Sequence, residues 1–267
     1  MGKKLHNAPV YYTIALVQFN AILDIDSFVT EIQSKMRAAD FPDFKKAVVQ
    51  GIVFSPDVAS MKPGQSAAPA VSSQLRYLFG DIDGTSLFLL DQNALSLQTT
   101  KYDTYGIFSE MFLKGLGILD EVLHLQLIER IGLRYLDAIL PDKKKEETLE
   151  KFLIPEVLGL SIHNEGMLQH SVSENFFKSA TRQIISRIII RNGKVELPVE
   201  LSQFTPAINQ RFTQKEGLHA IIDTDVFDCQ RERFILANVK NKLSKLHDDH
   251  TKSFRTIVTD DALNSWA

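Results

Sequence analysis

The sequence has little cysteine and no long apolar run, and both absences narrow the class of protein. Cys229 is the only cysteine among the 267 residues, so no disulfide can form within the chain. A chain without paired cysteines fits a reducing compartment and lacks the cysteine motifs of zinc sites. No stretch reaches the roughly 18 uncharged apolar residues that a membrane helix needs. We therefore expect a cytoplasmic protein with no membrane partner.

The charge balance and the absence of catalytic motifs exclude further classes. A formal net charge of -3 gives the chain no general attraction to nucleic acid or anionic lipid. The sequence contains no nucleophile elbow, no P-loop and no dinucleotide-binding glycine pattern. It therefore predicts a globular protein and indicates neither a reaction nor a cofactor, so we expect no cofactor and no catalytic residue.

The chain repeats its own pattern of strands and helices. Residues Tyr11–Leu123 read as strand, helix, three strands and helix, and residues Leu127–Val258 read the same way. The opening strands also match in letters, since VQFNAIL resembles LRYLDAIL with one residue inserted. An internal repeat indicates the architecture of the whole chain. We predict an α+β fold of two duplicated β-α-β-β-β-α halves, residues 1–124 and 125–267, that form one cooperative unit.

In the first half, alternating apolar residues predict a strand over Tyr11–Phe19, and Asp24 or Asp26 is expected to cap the next helix. Residues Phe41–Phe54 are ambiguous and could form a short helix followed by a strand over Ala47–Phe54. Ser55–Ser73 is rich in Pro, Ser, Ala and Gly, which predicts a surface loop. A meander and a helix capped by Thr104 or Asp103 complete this half, with strands over Leu75–Ile82, Ser86–Asp91 and Ala94–Tyr102.

In the second half, a strand over Leu127–Ile139 precedes a charged helix over Lys143–Phe152. Asn192 and Gly193 predict a turn, and Leu197–Arg211 predicts a second long loop. The remaining strands are predicted over Leu168–Phe177, Thr181–Arg191 and Gly217–Phe227. We expect antiparallel strands in one curved sheet or two abutting sheets. The two long helices, Thr104–His124 and Arg231–Phe254, should pack on one face.

Several stretches, in order along the chain, resemble a family of sporadically distributed bacterial proteins of similar length with no established activity. The stretches are NAPVYYTIALVQFNAI, TTKYDTYGIFSEMF, ERIGLRYLDAIL, IIDTDVF and LHDDHTKSFRTIVTDDAL. The chain departs from the family pattern near Asp137, where an Asn is expected. The resemblance implies a bacterial cytosolic protein. Patchy distribution is typical of accessory genes, such as those in mobile or anti-phage defence loci.

The acidic strand HAIIDTDVFD provides the first candidate site. Alternation places His219, Asp223 and Asp225 on one face, with the two aspartates about 6.6 Å apart along the strand. Oxygen ligands at this spacing could hold a divalent cation, but such a site needs more ligands than the sequence supplies. The favoured alternative is pairing with Arg187 and Arg191 of the preceding strand. We therefore predict no metal site.

Arg130 and Arg134 provide the second candidate site, because they share one strand face with Gly132 between them. Such a pair could leave room for a phosphate or a base to approach the sheet. The alternative is ion pairing with Asp81, Asp83 or Glu129. A third pair, His247 and His250, lies at i and i+3 on the last helix, where a polar helix face is favoured over a metal site.

Two functions follow from these patterns. The favoured one is a non-enzymatic binding or assembly module that forms a homodimer and uses its sheet to hold a ligand or a protein partner. The alternative is an enzyme that processes nucleotides or nucleic acid, although a nucleic-acid partner is not favoured. The enzyme would use Arg130, Arg134, Asp223 and Asp225. The candidate ligand-binding residues of the chain are these four and Arg187.

Overall fold

The computed structural model of the chain describes residues 7–53, 70–163, 166 and 168–267. Within these residues, the strands form one antiparallel sheet, and three helices share a hydrophobic core with one of its faces. The predicted α+β class is therefore confirmed. No helix in the described part of the chain is long and apolar enough to cross a membrane.

The secondary structure elements have the following bounds in the described ranges. The first half contains β1 (Val10–Phe19), α1 (Val29–Ala38), β2 (Asp43–Val53), β3 (Ala70–Gly80), β4 (Ser86–Leu90), β5 (Ala94–Thr99) and α2 (Tyr105–Leu123). The second half contains β6 (Leu127–Ile139), α3 (Pro155–Leu158), β7 (His170–Lys178), β8 (Arg182–Lys194), α4 (Gln210–Thr213), β9 (Glu216–Asp228), β10 (Glu232–Arg233), α5 (Leu236–Ile257) and α6 (Asp260–Trp266).

The sheet is continuous across the boundary between the two predicted halves. Its strand order is β2-β3-β4-β5-β1-β6-β9-β8-β7, and β10 pairs with β6 beside this path. β1 pairs with β6 in antiparallel register, for example Ala15 opposite Leu133. Of the two predicted arrangements, one large sheet rather than two abutting sheets is therefore present.

One face of the sheet, called the helix face below, is covered by α1, α2 and α5. The side chains that α2 and α5 bury recur at helical spacing, as an amphipathic helix requires. Gly115 lets α2 approach closely, because a Cβ atom there would lie 2.4 Å from ring carbons of Phe88. The buried apolar side chains of the two helices include Phe108, Phe112, Leu116, Leu119, Val239, Leu243, Leu246 and Phe254.

The opposite face, called the open face, carries residues Val195–Phe212, named the covering loop below. Both ends of this loop are buried against Tyr11. In its middle, the N–H group of Ala207 donates to the carbonyl of Gly84, and the carbonyl of Ala207 accepts from the hydroxyl of Thr100. The long loop predicted in the second half therefore crosses the sheet and is fixed to the first half.

The structure corrects two predictions in the first half. The described residues of the stretch Phe41–Phe54, residues 41–53, hold no helix, because β2 begins at Asp43 and pairs with β3 along its whole length. Neither aspartate caps α1: its N-cap is Phe28, without a side-chain bond, and Asp26 instead accepts a hydrogen bond from the hydroxyl of Tyr77. The helix cap predicted at Thr104 is confirmed, since its hydroxyl accepts from the N–H group of Ile107.

The predicted loop Ser55–Ser73 falls mostly on residues outside the described part of the chain. Its last four residues, from Ala70 onward, belong to β3. Long pairing with β2 extends this strand beyond the start that its apolar pattern predicts.

The second half holds three further corrections. The predicted helix Lys143–Phe152 forms only two short 3-10 turns. Its apolar residues Leu149 and Phe152 are instead buried in the cluster that contains Trp266. Asn192 and Gly193 are not a turn but lie within β8, paired with the start of β9. The last helix begins at Leu236 rather than Arg231, and residues Glu232–Arg233 form β10 against β6. The sequence analysis also missed α6.

Candidate functional site

Arg134 is the centre of an ion-pair network on the open face. Its Nε and Nη2 atoms donate to the two carboxylate oxygens of Asp223 at 2.7 Å and 2.6 Å. Nη2 also donates to Glu200 of the covering loop at 2.9 Å. Asp223 is only 1% exposed. A two-pronged contact of this kind fixes both side chains in direction as well as distance.

The other predicted residues join the same network. Nη1 of Arg187 lies 3.6 Å from Asp223, and Arg187 also pairs with Glu174 on β7. Nη2 of Arg130 donates to Asp225 at 3.2 Å, while its guanidinium lies 4.1 Å from the ring centre of Phe227. All five predicted ligand-binding residues are therefore brought together on one face.

The partners of the arginines differ in part from those predicted. Cross-strand pairing of Arg187 with the acidic strand is present, but Arg191 pairs with Glu196 instead. Arg130 and Arg134 pair with the acidic strand and the covering loop, not with Asp81, Asp83 or Glu129 as considered. The difference arises because β6 and β9 are neighbours in the sheet although the sequence between them is long.

The arginines and carboxylates of the network neutralise one another's charges. Burial alone would lower the pKa of Arg134, but its bonds to Asp223 and Glu200 raise that pKa above its ordinary value. Burial raises the pKa of the Asp225 carboxyl group, while Arg130 and Arg134 act against that rise. The positive charges needed to hold a phosphate are thus already matched by carboxylates.

A groove of about 290 Å³ lies beside this network, across the strands where the two halves meet. Its floor is apolar, its rim is charged, and its lining includes no aromatic ring on which a base could stack. The Nε atom of Arg76 is buried there with no hydrogen-bond partner in the described residues. The lining includes Ile14, Leu16, Leu89, Arg76, Arg130, Gly132, Arg134, Leu201 and Asp225.

The histidines of the sequence analysis do not gather ligands for a metal. Among the described residues, no group of three or more His, Cys, Asp or Glu side chains could hold a metal ion. His219 is buried, its Nδ1 lies 2.9 Å from the carbonyl of Gly217, and burial lowers its pKa. Its neighbours Asp223 and Asp225 direct their oxygens toward arginines instead.

His247 and His250 lie in an aromatic stack rather than on a polar helix face. His247 stacks on Tyr105 with ring centres 4.1 Å apart, and His250 stacks on Tyr135 at 3.9 Å. Burial lowers the pKa of both imidazoles, that of His250 to about 3. The polar helix face expected at these two residues is therefore wrong, since the helix turns His250 into the core.

A row of buried polar side chains crosses the helix face, and the sequence analysis missed it. Neighbouring strands place these residues directly opposite one another in register. Oxygen atoms of Thr13, Thr224 and Ser186 have no hydrogen-bond partner in the part of the chain that the structure describes. Asp137, two residues after Tyr135 on β6 and on the same face, also has one carboxyl oxygen without a hydrogen-bond partner in the described residues. From β4 to β8 the row is Ser86, Thr99, Thr13, Tyr135, Thr224 and Ser186.

β7 forms one edge of the sheet, and most of its residues are exposed. Within the described residues it pairs with β8 alone. Val172, Phe176 and Phe177 are 52%, 57% and 58% exposed. A long edge strand with exposed apolar side chains is a template for pairing with another strand.

A scan of the chain against protein-family models finds no match, and a search of curated proteins finds none either. The resemblance carried by TTKYDTYGIFSEMF and LHDDHTKSFRTIVTDDAL therefore stays a prediction, as does a bacterial or defence context. The candidate site on the open face is therefore supported only by the geometry of its residues.

Proposed function

We propose that this chain is a non-enzymatic assembly module that forms a homodimer by pairing β7 with β7 of a second copy. The main support is the exposed apolar edge of this strand, where Phe176 is more than half exposed. Natural proteins protect such edges with proline, charge or a covering segment, and a long apolar edge favours strand addition. Joining two copies would bury these side chains in one continuous sheet.

The backbone of β7 defines which residues would bond to the second copy. The carbonyl of Gln169 accepts from Asn192, and the N–H group of Ser179 donates to the carbonyl of Arg182. Odd-numbered residues of β7 therefore bond to β8, since bonded and non-bonded positions alternate in an antiparallel ladder. The N–H and C=O groups of Val172, Glu174, Phe176 and Lys178 point outward.

Charge selects one register among those that this alternation allows. A two-fold axis at Phe176 places the two Phe176 rings opposite each other and each Glu174 opposite Lys178 of the second copy. An axis at Glu174 would instead oppose two carboxylates, which is destabilising. The register centred on Phe176 therefore combines an aromatic pair with two opposite-charge pairs.

Internal duplication belongs to the same proposal. The orders β3-β4-β5-β1 and β7-β8-β9-β6 mirror each other about the β1–β6 pair, which supports two related halves. The α1 helix of the first half has only short turns as its counterpart after β6. The proposed partner of the chain is a second copy of the same chain. The groove between the two halves would bind a small ligand.

The alternative enzyme on Arg130, Arg134, Asp223 and Asp225 gains little support. Each of these arginines already bonds to a carboxylate, and Asp223 has little exposed surface. A nucleotide would have to displace buried ion pairs, and breaking such pairs is costly.

Light scattering coupled to size-exclusion chromatography tests the dimer. The natural chain should elute with twice the monomer mass, and Phe176→Asp should shift it to the monomer, because a carboxylate would be buried in the aromatic pair. Val48→Asp is the matched control, since Val48 is 61% exposed on β2 at the opposite edge of the sheet. A monomeric natural chain, or an unchanged Phe176→Asp dimer, refutes the proposal.

Cysteine cross-linking tests the register in a Cys229→Ser background. Opposed residues of a bonded antiparallel pair have Cα atoms about 5.5 Å apart, within the range of a disulfide. Phe176→Cys should therefore cross-link to itself under oxidation, whereas Glu174→Cys and Val172→Cys should not. Efficient cross-linking of Glu174→Cys with none at position 176 would show a dimer of a different register.

A further inference from the structure

A second pocket, of about 310 Å³, lies where the N-terminal and C-terminal segments of the described chain meet. None of its lining residues belongs to the Arg134 network. Its lining combines three basic side chains with aromatic ones, a composition that the groove on the open face does not have. The basic residues are Lys145, Arg211 and Lys215, and the aromatic residues are Phe152, Phe212 and Trp266.

Arg211 differs from the arginines of the network in its surroundings. Its guanidinium lies 4.3 Å from the ring centre of Phe212, and Nη2 donates to the carbonyl of Ala8 at 2.6 Å. Burial lowers its pKa, and no carboxylate in the described ranges forms an ion pair with it. Arg134 and Arg187 are also partly buried, but carboxylates raise the pKa of both. Arg211 is thus an exposed but partly buried cation that has no counter-anion among the described residues.

The two carboxylates that line the pocket, Asp142 and Glu147, accept hydrogen bonds from groups of their own segment. Asp142 accepts from the N–H group of Lys144. Glu147 accepts from the ammonium group of Lys151 at 2.8 Å and from the N–H group of Asp142 at 3.0 Å, and both contacts lower its pKa. Lys145 and Lys215 are exposed and form no ion pair in the part of the chain that the structure describes, although the charge of Lys145 helps to lower the pKa of Glu147.

We propose that this pocket binds a phosphate monoester with an aromatic body, its phosphoryl group held by Lys145, Arg211 and Lys215. A phosphate monoester carries a charge of about -1.5 to -2 at pH 7. A ligand with this charge suits a site with three cations better than a ligand that carries one carboxylate. The planar guanidinium of Arg211 presents a fork of donors that matches phosphate oxygens. Phe212 and Trp266 are largely buried, but the parts of their rings that line the pocket are apolar surface that the aromatic body would contact.

This site is independent of the proposed dimer. Its residues come from the segment before β1, the end of β6 and the segment after it, α4 and the loop that follows it, and α6, and β7 contributes none. Loss of the dimer and loss of the anion site would therefore be separate results.

Isothermal titration calorimetry with three probes tests the site. Phenyl phosphate should bind most tightly, inorganic phosphate at least tenfold more weakly, and phenol not measurably, because the proposal needs both charge and ring. Increasing sodium chloride should weaken phenyl phosphate binding. Equal affinity for phenyl phosphate and inorganic phosphate would refute the aromatic part, and no binding of either would refute the site.

Variants locate the binding. Arg211→Gln should reduce phenyl phosphate affinity at least tenfold, while the control Arg231→Gln, an arginine near Glu129 outside the pocket, should leave it unchanged. Because Arg211 also holds Ala8, Lys215→Gln provides a second variant at an exposed position that bears no such bond. Circular dichroism confirms that each variant is folded. Natural affinity in both pocket variants would overturn the proposal.

Discussion

Two buried aspartates lie near the centre of the sheet, and their surroundings are opposite. Asp137 on β6 faces the helices and is 5% exposed, whereas Asp223 on β9 lies on the open face and is 1% exposed. Burial raises the pKa of Asp137 to about 8, and no cation among the described residues offsets that rise. Asp223 instead bonds to Arg134 and lies near Arg187. Adjacent strands thus bury one carboxyl group as a neutral acid and another as a paired carboxylate.

The comparison shows that burial alone does not decide the protonation of a side chain. Removing a carboxylate from water costs free energy, and the group either finds a cation or keeps its proton. On the open face, Arg134 and the covering loop supply the cation and its second partner, Glu200. On the helix face, Asp137 lies opposite two apolar residues in register, Val10 and Ile222. The two faces should respond oppositely to loss of the charge.

Asp223→Asn should give the largest effect, a loss of about 3–5 kcal/mol in the free energy of unfolding. The reason is that the buried guanidinium of Arg134 would lose its main counter-charge. Urea unfolding of both proteins at pH 7 measures the difference. Asp83→Asn, which removes an exposed pair with Lys101, is the control and should change stability by less than about 1 kcal/mol. A loss no greater than that of the control would contradict the paired state of Asp223.

Asp137→Asn should act in the opposite direction and stabilise the protein at neutral pH. Because the folded pKa is raised to about 8, stability is lost as pH rises above the unfolded value near 4 until about pH 8. At about 1.4 kcal/mol per pH unit, the natural chain loses up to about 4 kcal/mol by pH 7. The variant should lack this slope in urea unfolding from pH 4 to pH 8. Parallel curves for the two proteins would show that Asp137 is ionised.

His250→Phe should remove a smaller dependence at acid pH. The pKa of His250 is lowered to about 3, so the natural chain loses stability as pH falls from about 6.5 toward 3. At pH 5 this loss is about 2 kcal/mol. Phenylalanine keeps the stack on Tyr135 without a titrating group. Thermal unfolding at pH 5 and pH 7 tests this, and an equal acid slope in the variant would place the titrating group elsewhere.

Divalent cations should have the smallest effect. Because the oxygens of Asp223 and Asp225 bond to arginines, added Mg²⁺, Mn²⁺ or Ca²⁺ should shift the melting temperature by no more than about 1 °C. A site filled to 100 times its dissociation constant would stabilise by about 2.7 kcal/mol, a shift of several degrees. Such a shift, lost in Asp223→Asn, would mean that the cation displaces the arginines.

The strands were largely predictable, and the reasons for the failures are specific. Alternation identified β1, β6 and β9 with little error, because each has long apolar runs. Within the ambiguous stretch, Asp43–Val53 form a full strand because β3 pairs with each of these residues, and pairing with a distant segment leaves no local pattern. The charged helix Lys143–Phe152 failed because burial of single residues overrode its helical spacing.

The candidate site shows the same division. Alternation along one strand was enough to place Asp223 and Asp225 on one face, opposite Arg187 of the next strand. The contact with Arg134 required β6 to lie beside β9, and the contact with Glu200 required the covering loop to fold back over the sheet. The row from Thr13 to Ser186 likewise depends on the register of strands that are far apart in sequence.

The sequence by itself determined the class of fold, most strand positions, the two long helices and the side of each strand on which its charges lie. These properties follow from local periodicity, because neighbouring side chains on a strand or helix have fixed directions. Only the tertiary structure decided which charges neutralise one another and which remain exposed to a ligand. Strand order, register and the path of the covering loop bring distant residues within bonding distance. Arg134 is thereby paired with carboxylates, and Arg211 is left without a counter-anion in the described chain.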